Sequence, residues 1–180
     1  YVLAGTDEAD QIDVQLTTEE AIIQINEDNY RFNSNERIAF SVIGFFGNDS
    51  ISISGSEHKE EINIRSDSAR LTGTWFSGLF YGMESIHFDG GGNEDVARFY
   101  DNAGDSQLDA SPFEATWASA GYRHSVADIH RIYAYALNGG HDTANLRGSE
   151  KRDHFIATPD TARMYDGDYY IWVEGFDTVN

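Results

Sequence analysis

The chain repeats itself, and the repeat constrains the fold more than any other feature. With Gly5, Gly55, Asp101 and Gly148 in register, successive copies begin 50, 46 and 47 residues apart. Five positions on stand Asp10, Glu60, Ser106 and Asp153; seven on, Ile12, Ile62, Leu108 and Phe155; nine on, Val14, Ile64, Ala110 and Ala157. The third and fourth copies agree further: Pro112 with Pro159, Ala115 with Ala162, Trp117 with Met164, and Tyr122 with Tyr169. In the second copy Ala69, Leu71 and Phe76 take the last three of these places. A period of 20 to 50 residues describes an array whose units bury each other's faces. The expectation is therefore one β-repeat array over residues 1–180, with units 5–54, 55–100, 101–147 and 148–180, taken from a longer protein.

Within each unit the apolar residues recur at period two, the period of a strand. Ile51/Ile53, Ile62/Ile64, Ile86/Phe88, Ala134/Ala136 and Tyr170/Trp172 are examples, with Gly, Asn, Asp and Ser punctuating the runs. Two windows have helical features: the capping-box pattern at Thr17–Glu20 and the Val126/Ile129/Ile132 spacing. Their repeat-equivalents alternate, so strands are expected in both places. An all-β unit of about 47 residues fits a right-handed parallel β-helix with two coils of about 23 residues per unit. Eight coils would then span about 38 Å. The alternative is an arrangement of β-propeller-like blades, whose four strands take a similar length.

Two acidic rows recur. Asp49, Asp95 and Asp142 each follow turn-forming residues; the residue two before is Gly47 and Gly140 in the outer cases and Asn93 in the middle one. Asp10, Glu60 and Asp153 form the second row. Carboxylates and turn carbonyls suit calcium, so these six are the candidate metal ligands. In the β-helix, members of one row would lie about 10 Å apart, so any site must draw on neighbouring turns. The competing reading is a turn in which each Asp binds its own backbone. Catalysis is the lesser expectation. Its best cluster is Tyr122, His124, His130 and Arg131, in which a base beside an arginine could serve β-elimination on a uronate. Asp166 and Asp168 form a carboxylate pair in a glycine-containing turn.

The segments Gly139–Leu146, Asp153–Pro159 and Gly175–Val179 resemble an acidic repeat of very large secreted or surface proteins of aquatic bacteria. The Gly139-Gly140-His141-Asp142-Thr143-Ala144 part is also distantly similar to the calcium-binding nonapeptide repeats of exported bacterial proteins. That resemblance implies export and calcium held between stacked turns. Here, however, the motif comes once per unit of about 46 residues and not every nine.

Composition narrows the partners. The 31 acidic residues against 12 basic ones give a formal charge of -19, which disfavours nonspecific grip on nucleic acid or an anionic membrane. There is no cysteine, and no apolar run long enough to span a membrane is present. The aromatics on a β surface, among them Trp75, Tyr81, Tyr133, Tyr135, Tyr169 and Trp172, suit glycan or protein contact, with about half turned inward. The expected role is a structural or adhesive segment of a secreted or cell-surface protein, with calcium as candidate cofactor. Its partners would be neighbouring repeats, glycans or another surface protein. The alternative is a carbohydrate-active β-helix domain, either an acidic-polysaccharide lyase or a glycan-binding module.

Overall fold

A computed structural model describes residues 1–92 and 94–180. The element before the first meander is β1 (Val2–Ala4). The first unit contains the meander β2 (Gln11–Leu16), β3 (Glu20–Ile25) and β4 (Asp28–Asn33), then β5 (Ile38–Ile43) and β6 (Ser50–Ser54). The second contains β7 (Glu61–Arg65), β8 (Ser68–Thr72) and β9 (Phe76–Tyr81), then β10 (Ser85–Asp89) and β11 (Val96–Tyr100). The third contains β12 (Ser106–Ser111), β13 (Phe113–Ser119) and β14 (Tyr122–Ile129), then β15 (Arg131–Tyr135) and β16 (Thr143–Leu146). The fourth contains β17 (His154–Ala157), β18 (Thr161–Tyr165) and β19 (Tyr170–Glu174), then β20 (Thr178–Val179).

These strands form a β-solenoid of two ten-stranded sheets, and no helix occurs among the described residues. Sheet A runs β1-β5-β9-β8-β7-β11-β15-β19-β18-β17, and sheet B runs β20-β16-β12-β13-β14-β10-β6-β2-β3-β4. Ten strands at about 4.8 Å make a stack about 43 Å long. Blades of a propeller do not form. Each unit also departs from two plain parallel coils, because it opens with a three-stranded antiparallel meander. The first strand of the meander lands ahead and leaves a gap of two places, which the second and third fill in reverse. The first strand then pairs in parallel with the coil above, as β2 does with β6, β7 with β11 and β12 with β16. The third pairs in parallel with the coil below, as β9 does with β5, β14 with β10 and β19 with β15. Successive meanders alternate between sheets B, A, B and A, so the structural period is two sequence units.

The alternating side chains supply the core between the sheets. In sheet B a transverse column runs Ile25, Ile12, Ile51, Ile86, His124, Trp117, Leu108, Ala144. In sheet A another runs Leu71, Ile62, Ala97, Ile132, Ile171. All of these residues are buried. Ala69, Ala115 and Ala162 hold one inward place on the middle meander strands, and Leu71, Trp117 and Met164 the next, as their alignment in sequence requires. The Thr17–Glu20 window closes a hairpin: Thr17 Oγ1 accepts hydrogen bonds from the Glu19 and Glu20 amides at 3.2 and 3.0 Å. The Val126–Ile129 window is part of strand β14, irregular at Asp128, whose φ is 53°.

The repeated glycines matter at the corners, where one coil crosses the next. Gly47 has φ 130°, and a Cβ there would meet the Glu8 carbonyl oxygen at 2.5 Å. Gly140 has φ 114°, and its Cβ would meet the Gly104 carbonyl oxygen at 2.6 Å. Asn93, at the matching place in the second unit, lies outside the described residues. Gly140→Ala is expected to cost about 1–3 kcal/mol in a urea melt, from left-handed backbone strain and the forced separation of two coils. Gly139→Ala, whose Cβ meets nothing within 4 Å, should cost less. Equal costs would contradict the close-approach argument.

Candidate functional site: corner carboxylates and an arginine–tyrosine face

The two acidic rows meet at the corners of the solenoid. Each acid directly precedes a strand, where the chain turns. The carboxylates of Asp49, Asp95 and Asp142, with those of Glu84 and Asp177, each accept an amide of the coil below. The Asp10 amide donates to Asp49 Oδ1 at 2.8 Å, and the Asp49 amide donates to Glu84 Oε2 at 2.8 Å. The Glu60 amide donates to Asp95 Oδ1 at 2.6 Å. In the third unit the Ser106 amide donates to Asp142 Oδ1 at 2.8 Å, and the Asp142 amide to Asp177 Oδ2 at 2.9 Å. The backbone bonds Ser50 N to Asp10 O, Ser85 N to Asp49 O and Val96 N to Glu60 O complete each rung at 3.0–3.1 Å. Asp10, Asp49, Glu60, Asp95 and Asp142 are all buried. A buried amide without an acceptor costs about 1–3 kcal/mol, so each rung secures one coil to the next.

A hydroxyl four residues before the acid forms a second clasp. Asp10 accepts hydrogen bonds from the Thr6 amide at 2.7 Å and the Thr6 hydroxyl at 3.1 Å. Glu60 accepts them from the Ser56 amide at 3.2 Å and from the Ser56 hydroxyl. Asp153 accepts from the Ser149 hydroxyl at 2.9 Å and the Tyr169 hydroxyl at 2.6 Å. Glu84, Asp177 and these hydroxyls escaped the reading of the sequence. The signal was present as Thr6-x-x-x-Asp10, Ser56-x-x-x-Glu60 and Ser149-x-x-x-Asp153.

Burial decides the electrostatics of the ladder. It pushes the Glu60 carboxyl up to about 7, with the Asp95 charge adding to the rise. Burial likewise raises Asp49, helped by the charges of Asp10 and Glu84, and raises Asp142 beside Asp101 and Asp177. Asp49 Oδ2 is buried without a hydrogen-bond partner. At Asp10 burial is outweighed by the bonds from Thr6 and Asn26, which hold the carboxyl below its usual range. The six candidate metal ligands thus divide into Asp10 with Asp49, Glu60 with Asp95, Asp142 above Ser106, and Asp153 alone. No group of three or more His, Asp or Glu disposed to hold a metal ion occurs among the described residues.

The candidate catalytic cluster is divided by the fold. Tyr122 and His124 face the core from β14, with rings stacked at 4.9 Å. His124 Nδ1 accepts the Ile86 amide at 3.2 Å while Nε2 lies 3.3 Å from the Ser66 carbonyl oxygen, so Nε2 carries the proton. Burial drives its pKa down to about 4. His130 and Arg131 lie at the opposite sheet, bordering an open cleft of about 390 Å³ shared with Asp166 and Asp168. Asp166 Oδ1 accepts the Asp168 and Tyr169 amides at 2.6 and 3.2 Å, and Asp168 pairs with Lys151. Both carboxylates therefore have local roles in the turn.

The outer faces of the two sheets differ. Sheet B presents mainly small polar side chains, such as Ser50, Ser52, Ser85, Ser125 and Asn145. Sheet A presents rings and arginines. Tyr100 and Tyr135 stack at 5.2 Å, and Tyr133 lies 5.8 Å from Tyr170. Arg65 lies over Tyr100 at 4.7 Å, Arg98 over Tyr133 at 5.3 Å and Arg163 over Tyr165 at 5.7 Å. Of the aromatic surface candidates, Trp75, Trp117, Tyr122 and Tyr169 are buried, whereas Tyr81 is exposed and Tyr133, Tyr135, Tyr170 and Trp172 are half-buried on this face. Searches against family models, curated proteins and solved structures find no match to this chain.

Proposed function

We propose that the chain is a structural and adhesive segment of a secreted or cell-surface protein. The observation that carries this reading is the corner ladder. The repeated acids are used to bind one coil to the next, and the core columns pass through all four units without interruption. Such an array is a spacer of fixed length per unit that exposes two long flat faces. The acidic, lysine-poor composition and the likeness of the repeats to those of large surface proteins support an extracellular place. In this reading the hydrogen-bonded ladder stiffens the corners, and calcium is not needed to do so. The lyase alternative loses its best cluster, because Tyr122 and His124 are sealed between the sheets.

The test is to lengthen the array by its own period. Inserting a second copy of residues 55–147 after residue 147 adds two units and keeps the alternation of meanders. Those units hold ten strands, five in each sheet. The particle should lengthen by about 24 Å in its maximum dimension by small-angle X-ray scattering, with an unchanged cross-section. A thicker or unfolded particle would overturn the reading.

A further inference from the structure

The outer face of sheet A contains an open groove of about 440 Å³ over the second meander. Arg65, Arg70, Asn63, Ser68, Tyr81 and Tyr100 border it, and among the described residues no Asp or Glu lines it. In a chain of charge -19 this is an unusual place. Acids outnumber bases by 31 to 12, yet neither Arg65 nor Arg70 forms an ion pair among the described residues. Both are exposed, on the adjacent strands β7 and β8, with Arg70 paired to Asn63 in register and Arg65 to Ser68.

The arrangement is built as well as cationic. Tyr100 is clasped between Tyr135, stacked at 5.2 Å, and the Arg65 guanidinium, 4.7 Å from its centroid. The Tyr100 hydroxyl donates to Asn63 Oδ1 at 3.4 Å. Contact with the ring holds the Arg65 guanidinium in place, and its N–H groups have no hydrogen-bond partner among the described residues, leaving a fork that can take a carboxylate in two parallel hydrogen bonds. Tyr81, 47% exposed, borders the same groove with a ring on which a sugar can stack.

We propose that this groove binds a glycan bearing an isolated carboxylate, a uronic or sialic acid set among neutral sugars. The carboxylate pairs with Arg65 and Arg70, and a neighbouring sugar ring lies against Tyr81. Charge selects the class. A densely anionic polymer meets the field of the whole acidic molecule, whereas a single carboxylate meets the local pair of guanidinium groups. The inference deepens the adhesive half of the function proposed above and rests on it. The lengthening of the duplicated chain does not depend on it, so the two readings fail separately.

The experiment is isothermal titration of the full chain with two matched pairs: glucuronosyl-xylotriose against xylotetraose, and sialyllactose against lactose. At least one acidic member is expected to bind at least about tenfold more tightly than its neutral partner, the effect of a charge-assisted hydrogen bond. Its arm then identifies the uronic or the sialic source. Arg65→Gln with Arg70→Gln should abolish that preference and leave the melting midpoint unchanged, since both side chains are exposed. Tyr81→Ala should weaken both members of the pair alike. No binding at millimolar sugar, equal binding of acidic and neutral members, or a preference that survives the double substitution would each overturn the proposal. Sedimentation of the chain alone is the companion measurement. A dimer that the double substitution dissolves would assign the groove to a second copy and overturn it too.

Discussion

Trp117→Ala should lower the unfolding free energy by about 3–5 kcal/mol, the largest loss expected from any single substitution of this chain. The indole is 1% exposed and belongs to the middle strand of the third meander. It stacks on Phe99 of the second unit at 5.8 Å and meets Phe176 of the fourth edge-on at 5.4 Å. Its Nε1 donates to the Tyr122 hydroxyl at 3.2 Å. One side chain therefore packs three consecutive units together. Removing it opens a cavity and withdraws a donor from a buried hydroxyl. Because stability in an array is shared through the contacts between neighbours, the transition should also broaden as the units uncouple. Trp117→Phe, which refills part of the volume, should cost less and keep a single transition. Equilibrium urea unfolding followed by circular dichroism measures both effects, and a loss below 1 kcal/mol would contradict the packing described.

The second large effect is a change in the sign of a pH dependence. Glu60 in the folded chain titrates near 7, against an ordinary 4.5. His124 titrates near 4, against 6.5. Between about pH 4.5 and 6.5 the folded state thus holds one proton on Glu60, and the unfolded state holds one on His124. Stability changes with pH in proportion to the difference in bound protons, so the two contributions cancel across this window. Asp49 and Asp142, both raised, tilt the profile so that stability falls as pH rises. Glu60→Gln removes the proton held by the folded state. It preserves the clasp, because the amide oxygen accepts the Ser56 amide and the amide nitrogen donates to the Ser56 hydroxyl. The His124 contribution is then no longer cancelled by Glu60, and outweighs the opposing slope of Asp49 and Asp142: by itself it makes stability rise by about 3 kcal/mol from pH 4 to 6.5. Above pH 7 the variant should exceed the parent, which has lost the advantage of a protonated Glu60. Urea midpoints at pH 4, 5, 6 and 7.5 read this directly; parallel profiles for the two proteins would sink it.

The parts of this structure that were legible in the sequence were those set by period and by punctuation. Period-two alternation gave strands throughout, including β14, where Val126 and Ile129 mimic a helical spacing. The aligned Ala69, Ala115 and Ala162 take equivalent inward places. Strand direction was hidden, because a strand alternates identically in parallel and antiparallel pairing. The meanders, and their alternation between the sheets, were therefore invisible. The acids stand out in the sequence as rows, but the pairs they form in the structure cross from one row to the other. Asp10 and Asp49 belong to different rows of the repeat, yet they lie on adjacent coils and share a hydrogen bond. His124 drew attention as a candidate base in a cluster with Arg131, whereas its register opposite Ile86 makes it a member of an isoleucine column. The arginines of sheet A carried a signal that was overlooked. Arg65, Arg70 and Arg98 fall at outward positions of strands that converge on one face.

The account depends most on the corners being closed by carboxylate–amide hydrogen bonds rather than by metal. The direct measurement is the thermal melt of the chain in EDTA, in millimolar CaCl₂, and in MgCl₂ as the control for ionic strength and divalent charge. An ion that binds the folded state alone raises its midpoint by mass action. The ladder predicts equal midpoints in CaCl₂ and MgCl₂, because the buried carboxylates already serve as acceptors for the amides of the coil below. A calcium-specific rise, abolished by Asp49→Asn or Asp142→Asn, would contradict it and return the acidic rows to the role of ligands.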